Sequence, residues 1–387
     1  MNILIVGWFR FPEGDAESVR LHAIGKALRD SGNNVSYVGM GYHTYMQSYT
    51  FDGFEYTTLR KKYKNIIEKF YFYFNYSYRL EQCIMSKIKE QKIDCILFAD
   101  ISPYAIITLK KICKKNNIKI ISDSVEWYSP EQFKLGNMSP GMILKNIEIK
   151  YTINKNVKVI AISKYLEKYF KSKDCEVIRI PIILDVENIP FEKKCLSDKL
   201  TILYAGAPGK KDYVEKMLRG ILLLNDDERG KLQFILAGVS NKDIEVMFSR
   251  EDINKLEETI HCLGRVSRKI VLEKLAEADF TVLLRSSEQR YAKAGFPTKV
   301  VESLSTGTPV ILNLTSDLGE YLQDRRECLI VKECTSKAFS ETLKYAITLT
   351  NDKITEMKKN ARICAEKNFD YRHYIDSLSK FIEIDNK

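Results

Sequence analysis

The segment 291–313, YAKAGFPTKVVESLSTGTPVILN, decides how the rest of the chain is read. Ahead of it, 280–284 (FTVLL) is a short apolar run ending at Arg285, the pattern of a buried parallel strand whose carboxyl end opens into a loop. Gly295, Phe296 and Pro297 then turn the backbone. Thr298 to Leu304 has helical spacing that stops at Gly307, and Pro309 leads into a strand at 310–312. A loop feeding a helix N-terminus at the carboxyl end of a parallel strand gathers unpaired N–H groups and about half a unit of positive charge, which suits a phosphate. Glu302, one turn into the helix, is placed to hold the two hydroxyls of a ribose. Without a ligand, the same run is an ordinary strand–helix–strand turn of an α/β domain.

The chain has 387 residues, enough for two domains rather than one core. Nine cysteines without a C-x-x-C pair point to reduced thiols, not to a disulfide frame or zinc site. No apolar run reaches the roughly 18–20 residues of a membrane span, and Met1 leads straight into a strand without a signal-peptide pattern. A cytoplasmic protein is expected, or one peripheral to the inner face of a membrane. The formal charge of +10 is uneven: residues 1–200 hold 31 Lys/Arg against 22 Asp/Glu, and residues 201–387 hold 30 against 29. The excess is densest in Arg60–Arg79 (RKKYKNIIEKFYFYFNYSYR), basic at its start and aromatic toward its end. That composition fits an anionic membrane surface, or equally a partly buried helix with a solvated basic end. No nucleic-acid motif accompanies it.

Short apolar runs at 3–6, 35–38, 95–98, 118–121, 159–162 and 177–180 alternate with helical stretches in the first half, and runs at 201–205, 232–237, 280–284, 310–312 and 328–331 do so in the second. Two Rossmann-like, doubly wound α/β domains follow. The polar stretch 184–199, with Pro190, reads as the linker between domains at 1–183 and 200–370. After the first strand comes a glycine-containing loop (GWFRFPEG) and a helix from about 16 to 31, without G-x-G-x-x-G. Asp123 and Glu126, in SDSVEWY, are expected on a loop after a strand, either to orient or deprotonate a hydroxyl or to cap the next helix. At 206–212, GAPGKKD brings two lysines to a helix start in a spacing that is not a Walker A loop. The four histidines show no metal-ligand spacing and no Asp-x-Asp occurs.

GFPTKVVESLSTGTPVI resembles the donor-site segment of the GT-B glycosyltransferases of family 4, whose pattern is Glu, seven residues, Glu, a small-residue helix and G-x-P. The second glutamate of that pattern matches Glu302; the first falls on Ala294. AISKYL at 161–166, PIILD at 181–185 and GRV at 264–266 match further marks of the family, so the resemblance spans nearly the whole chain. It implies a GT-B fold, two Rossmann-like domains facing a cleft, with 371–387 crossing back to the first domain. It implies donor contacts from Gly206, Lys210, Lys211, Arg285, Gly295, Thr298, Lys299 and Glu302, the last on the ribose. It also implies acceptor contacts from Gly14 and Arg20, the latter otherwise a solvated helix residue. The loop arginine of the family is absent, Ala207 standing after the glycine. The activity implied is a retaining, metal-independent transfer of a sugar from a nucleoside-diphosphate sugar to a glycan or lipid-linked hydroxyl in surface polysaccharide or glycan biosynthesis, with no cofactor. A sugar-nucleotide 2-epimerase of the same fold, and a non-catalytic partner protein, remain as other readings.

Overall fold

The apolar runs fold as parallel strands covered on both faces. In the computed structural model every residue is described except 13, 42–45, 60–64, 192–198, 208 and 384–387, together with the side chains of 66, 67, 69–71, 73 and 74. The lysines at the start of the basic–aromatic segment lie outside the described residues. Two compact units are formed, Met1–Asp185 with Tyr371–Lys387, and Val186–Asp370.

Among the described residues the first unit is built on eight strands: β1 (Asn2–Gly7), β2 (Asn34–Gly39), β3 (Ser48–Phe51), β4 (Phe54–Thr58), β5 (Cys95–Ala99), β6 (Lys119–Ser124), β7 (Lys158–Ala161) and β8 (Val177–Arg179). Their order is β3-β4-β2-β1-β5-β6-β7-β8, parallel throughout except for the β3–β4 hairpin. The hairpin is absent from the sequence reading, although its turn, Asp52 (φ 49°) and Gly53 (φ 77°), is an Asp-Gly pair of the kind that favours tight hairpins. The order reverses beside β1, between β2 and β5, so the carboxyl ends there flank the crevice where open α/β sheets bind ligands. Helix Ala16–Asp30 follows β1, capped by the Asp15 carboxylate, which accepts from the Ser18 N–H. The C-terminal helix Ile375–Glu383 packs on that helix within this unit, and Leu378, Phe381 and Ile382 enter its core.

β9 (Leu200–Ala205), β10 (Leu232–Ala237), β11 (Ile260–Gly264), β12 (Phe280–Leu283), β13 (Val310–Leu312) and β14 (Cys328–Ile330) form the second sheet. All pairs are parallel, in the order β11-β10-β9-β12-β13-β14, with its reversal between β9 and β12. β11 was not among the expected strands because it lies at the edge, alternating half-buried and exposed residues instead of an apolar run. Of the stretch expected as a linker, the first part packs on this unit: Arg362 donates to the Ile189 carbonyl at 2.9 Å and lies over the Phe191 ring.

Two expected site residues are part of the first unit's core. β6 runs to Ser124, so Asp123 is a strand residue, not a loop residue. Its carboxylate is gripped by the Arg20 fork, Nε to Oδ2 and Nη2 to Oδ1, both at 2.9 Å. Arg20 also donates to the carbonyls of Ile180 (3.1 Å) and Pro181. It is 1% exposed and Asp123 3%, which corrects both the solvated reading of Arg20 and the reading of Asp123 as an open base. Removing one partner strands a buried charge. We therefore expect Asp123→Ala to lower the unfolding free energy by about 3–5 kcal/mol in urea titration, and Asp123→Leu combined with Arg20→Met to recover much of it. A midpoint unmoved by Asp123→Ala would show that the pair does not hold this unit together.

Candidate functional site

β9 ends at a crossing of glycines. Gly206 has φ 137° and Gly238 φ 95°, and a Cβ on Gly238 would lie 2.6 Å from the Gly206 carbonyl oxygen. A Cβ on Gly206 would collide with the Lys299 ammonium. From Gly206 the chain doubles back over the sheet end: Asp212 pairs with Arg285 as an antiparallel bridge, and the Tyr213 N–H donates to the Leu284 carbonyl at 2.9 Å. This fastens the 206–212 loop to the end of β12, across the point where the strand order reverses.

Asp212 is the hub. Only 5% exposed, its carboxylate accepts from Arg285 Nε at 2.6 Å, from the Tyr204 hydroxyl at 2.9 Å and from Lys299 Nζ. Lys299 also reaches the Tyr204 hydroxyl at 3.1 Å and lies over its ring. Burial would raise the Asp212 pKa, but Arg285 and Lys299 outweigh it and hold the carboxyl below its ordinary value. Burial lowers the Lys299 ammonium despite Asp212, and burial pushes the Tyr204 phenol well up. Two cations thus face one anion. Among the described residues the Arg285 side chain is bonded through Nε alone, which leaves its two terminal amino groups for an incoming acceptor.

The neighbouring elements complete the site. Asn313, at the end of β13, accepts from the Arg285 N–H at 2.9 Å and donates to the Arg285 carbonyl at 2.8 Å, fixing that residue's backbone. Helix Thr298–Ser305 begins after Pro297 without a side-chain cap, and its Val300 N–H donates back to the Pro297 carbonyl at 3.1 Å. Glu302 Oε1 accepts from Arg268 Nη1 at 2.6 Å, Arg268 being the first residue of helix Arg268–Glu277 after β11. Ala294 is fully buried in helix Arg290–Ala294 and packs rather than points outward. Lys210 is exposed, while the Lys211 carbonyl accepts from the Tyr291 hydroxyl at 2.7 Å.

The structure therefore brings together Gly206, Arg285 and Lys299 around Asp212, on the same unit as Glu302. Asp212, Tyr204, Arg268 and Asn313 had no assigned role in the sequence. The available signal was the aspartate closing GAPGKKD, the one anion in a loop read for its lysines. In the first unit Gly14 donates its N–H to the Arg10 carbonyl at 2.8 Å and Glu126 lies on the loop after β6, half-buried. Near Asp15 one oxygen of the Glu17 carboxyl is buried without a hydrogen bond, and burial with Asp100 nearby raises its pKa well above the usual range. Among the described residues no group of three His, Cys, Asp or Glu side chains is arranged to hold a metal ion.

Because the Asp212 carboxyl is depressed in the folded state, its contribution to stability is complete above about pH 4 and is lost as pH falls through the lower folded value. Asp212→Asn should cost about 1–3 kcal/mol at neutral pH, by leaving two partly buried cations unpaired, and should flatten the acid limb below about pH 4. Thermal melts across that range check it, and an acid limb as steep in the variant as in the parent would refute the assignment.

Residues 185–363 match the family Glycosyl transferases group 1. A comparison with curated protein sequences gives no match. Among solved structures the chain is similar to sucrose-phosphate synthase from Thermosynechococcus elongatus, with TM-score 0.74 and 13% identity over 98% of this chain and 97% of that one. It is also similar to Alr3699/HepE of Anabaena in complex with UDP, with TM-score 0.67 and 15% identity over 98% and 99%. WaaG, a glycosyltransferase involved in lipopolysaccharide biosynthesis, has TM-score 0.67 and 13% identity over 99% and 100%. At such identities the likeness carries the fold, the two-unit α/β architecture of the GT-B type expected from the sequence.

Proposed function

We propose, from the match of residues 185–363 to the family Glycosyl transferases group 1, that this nucleotide-sugar-dependent enzyme is a retaining, metal-independent glycosyltransferase, passing a sugar to a hydroxyl of a growing glycan. The observation that carries the donor assignment is the pair of cations, Arg285 and Lys299, held by one buried aspartate at the strand-order reversal. The diphosphate of the leaving nucleotide gains negative charge as the glycosidic bond breaks. Arg285 offers its free amino groups as a fork, Lys299 a point charge, and helix Thr298–Ser305 its N-terminal amides. Lys210 and Lys211 sit on the adjoining loop and Gly295 at the turn before the helix, where the backbone approaches the donor. Metal independence is supported by this cation set, which supplies the charge a divalent ion otherwise provides.

Glu302 takes the ribose hydroxyls. Arg268 is a positioning residue here, holding Oε1 and leaving Oε2 for the ligand. Uridine is the base to test first, since HepE of Anabaena is solved with UDP and with UDP-glucose, and an E. coli neighbour with UDP-2-fluoro glucose. In the first unit, Gly14, Glu126 and the Glu17 carboxyl, whose Oε1 has no hydrogen-bond partner, supply the acceptor side, Arg20 and Asp123 holding the scaffold beneath them. A lipid-linked acceptor at the inner membrane face, met through the basic–aromatic segment 60–79, agrees with WaaG's place in lipopolysaccharide biosynthesis. Among the described residues no helix is long and apolar enough to cross a membrane.

Thermal melts with UDP, GDP, ADP and dTDP in the presence of EDTA test the donor site. We expect one nucleoside diphosphate at about 100 times its Kd to stabilise the protein by about 2.7 kcal/mol. Glu302→Ala should weaken that nucleotide by about 1–3 kcal/mol in calorimetric titration, the scale of charge-assisted hydrogen bonds lost. Unaltered affinity would remove Glu302 from the ribose, and a shift that vanishes in EDTA would overturn metal independence.

A further inference from the structure

Among the described residues, six exposed large apolar side chains lie on elements that pack together. Tyr104 and Ile107 on helix Pro103–Asn116, Leu135 and Met138 on the turns after β6, and Ile143 and Leu144 on helix Pro140–Ile147 are all exposed, with Leu135 at 67% and Met138 at 79%. Helix Pro103–Asn116 packs on helix Pro140–Ile147 and on the segment 148–152 that continues it, and the Gly136–Met138 turn packs on helix Pro140–Ile147 as well. The six residues therefore share one region of the first unit.

Their outward orientation is fixed from below. Within helix Pro140–Ile147 Met142 is 1% exposed, and Lys145 is buried with its ammonium on Glu148 (2.8 Å) and Asp100 (3.2 Å). Turning the helix to bury Ile143 and Leu144 would expose Met142 and break both ion pairs. Lys110 clasps the Thr152 carbonyl at 3.1 Å and Asn154 Oδ1 at 3.0 Å, which holds the longer helix against the same strip. Tyr104, Ile107 and Lys111, spaced three and four residues apart, then line its outer side. An exposed cluster of this kind, held open by its own anchors, marks an interaction surface.

The charge around it names the partner. Residues 101–157 contain nine lysines and four acidic residues, and two of those acids, Asp123 and Glu148, are buried. Lys111, Lys114, Lys115, Lys134, Lys150 and Lys155 are exposed along the same elements. A second copy of the chain would bring these lysines face to face, a repulsive arrangement. A bilayer with anionic headgroups accepts the apolar side chains at the acyl boundary and the lysines on its phosphates.

We propose that this face, distinct from segment 60–79, docks the first unit onto an anionic lipid bilayer. It deepens the reading of a lipid-linked acceptor by naming the surface that would meet the membrane, and binding can be measured without any transfer reaction. The whole protein is floated with phosphatidylcholine vesicles with and without phosphatidylglycerol, at low and high salt. Flotation is expected only with phosphatidylglycerol and should fall as salt screens the lysines. Lys111→Glu with Lys114→Glu and Lys115→Glu should lower partitioning by about 100-fold, at about five-fold per lysine near the surface. Leu135→Ser with Met138→Ser and Leu144→Ser should lower it by about ten-fold or more. All six positions are exposed, so the melting temperature and the nucleotide-induced shift should match the parent, and a missing nucleotide shift in the parent would count against the donor site alone. Flotation equal to the parent in both variants overturns the proposal, as does loss confined to Lys61→Glu with Lys62→Glu and Lys64→Glu. Sedimentation showing self-association that the apolar variant abolishes would reassign the face to a second copy.

Discussion

The second unit depends on a single carboxylate. Asp212 reaches Tyr204 on β9, Arg285 at the end of β12 and Lys299 at the start of a helix, and so joins the two strands between which the sheet order reverses. A parallel sheet leaves its carboxyl ends splayed at that reversal, with loops leading away on opposite faces. The 206–212 loop closes the gap by pairing Asp212 with Arg285 through the backbone as well as the side chain. Geometry and electrostatics are inseparable here. The same contact that folds the loop keeps two cations at the sheet end, where burial alone would drive the Lys299 ammonium toward losing its proton.

Glycine makes the arrangement sterically possible. Gly206 carries its carbonyl against Gly238, and any side chain at position 206 would occupy the place of the Lys299 ammonium. The requirement at Gly206 is double, a φ of 137° and room for another residue's charge. A glycine-bearing loop after a strand is therefore informative here even without the spacing of a known phosphate motif. What it accommodates is first a lysine from the next crossover.

The sequence discloses the elements that repeat a simple pattern and conceals those that depend on tertiary placement. Continuous apolar runs such as 3–6 and 201–205 identify buried parallel strands because a strand covered on both faces has no polar side. The edge strands β11 and β3 lack that signature because each alternates exposed with half-buried residues. Glu302 and the helix carrying it were legible from the local run GFPTKVVESLSTGTP. Lys299 was legible as a backbone position but not as a side chain, since its partner lies 87 residues earlier. Asp123 failed in the opposite direction. A carboxylate next to a strand end looks available in sequence, and only its distant partner Arg20, 103 residues earlier, makes it part of the core.

These two aspartates show why a buried Arg–Asp contact does not by itself mark a site. Asp123 lies near the end of β6 and Asp212 on the loop bridged to the end of β12, and both hold an arginine. Arg20 sends bonds from Nε, Nη1 and Nη2 to Asp123 and to two backbone carbonyls, a closed set with no terminal nitrogen left unpaired. Such a pair trades desolvation against attraction and fixes geometry more than it adds stability. Among the described residues the Arg285 side chain is bonded through Nε alone, and its anion is shared with a lysine, so the cluster is short of acceptors. An excess of donors beside uncapped helix amides is unfavourable until an anion arrives. That imbalance between donors and acceptors, and not burial or residue type, is what distinguishes the cluster at Asp212 from the pair at Asp123.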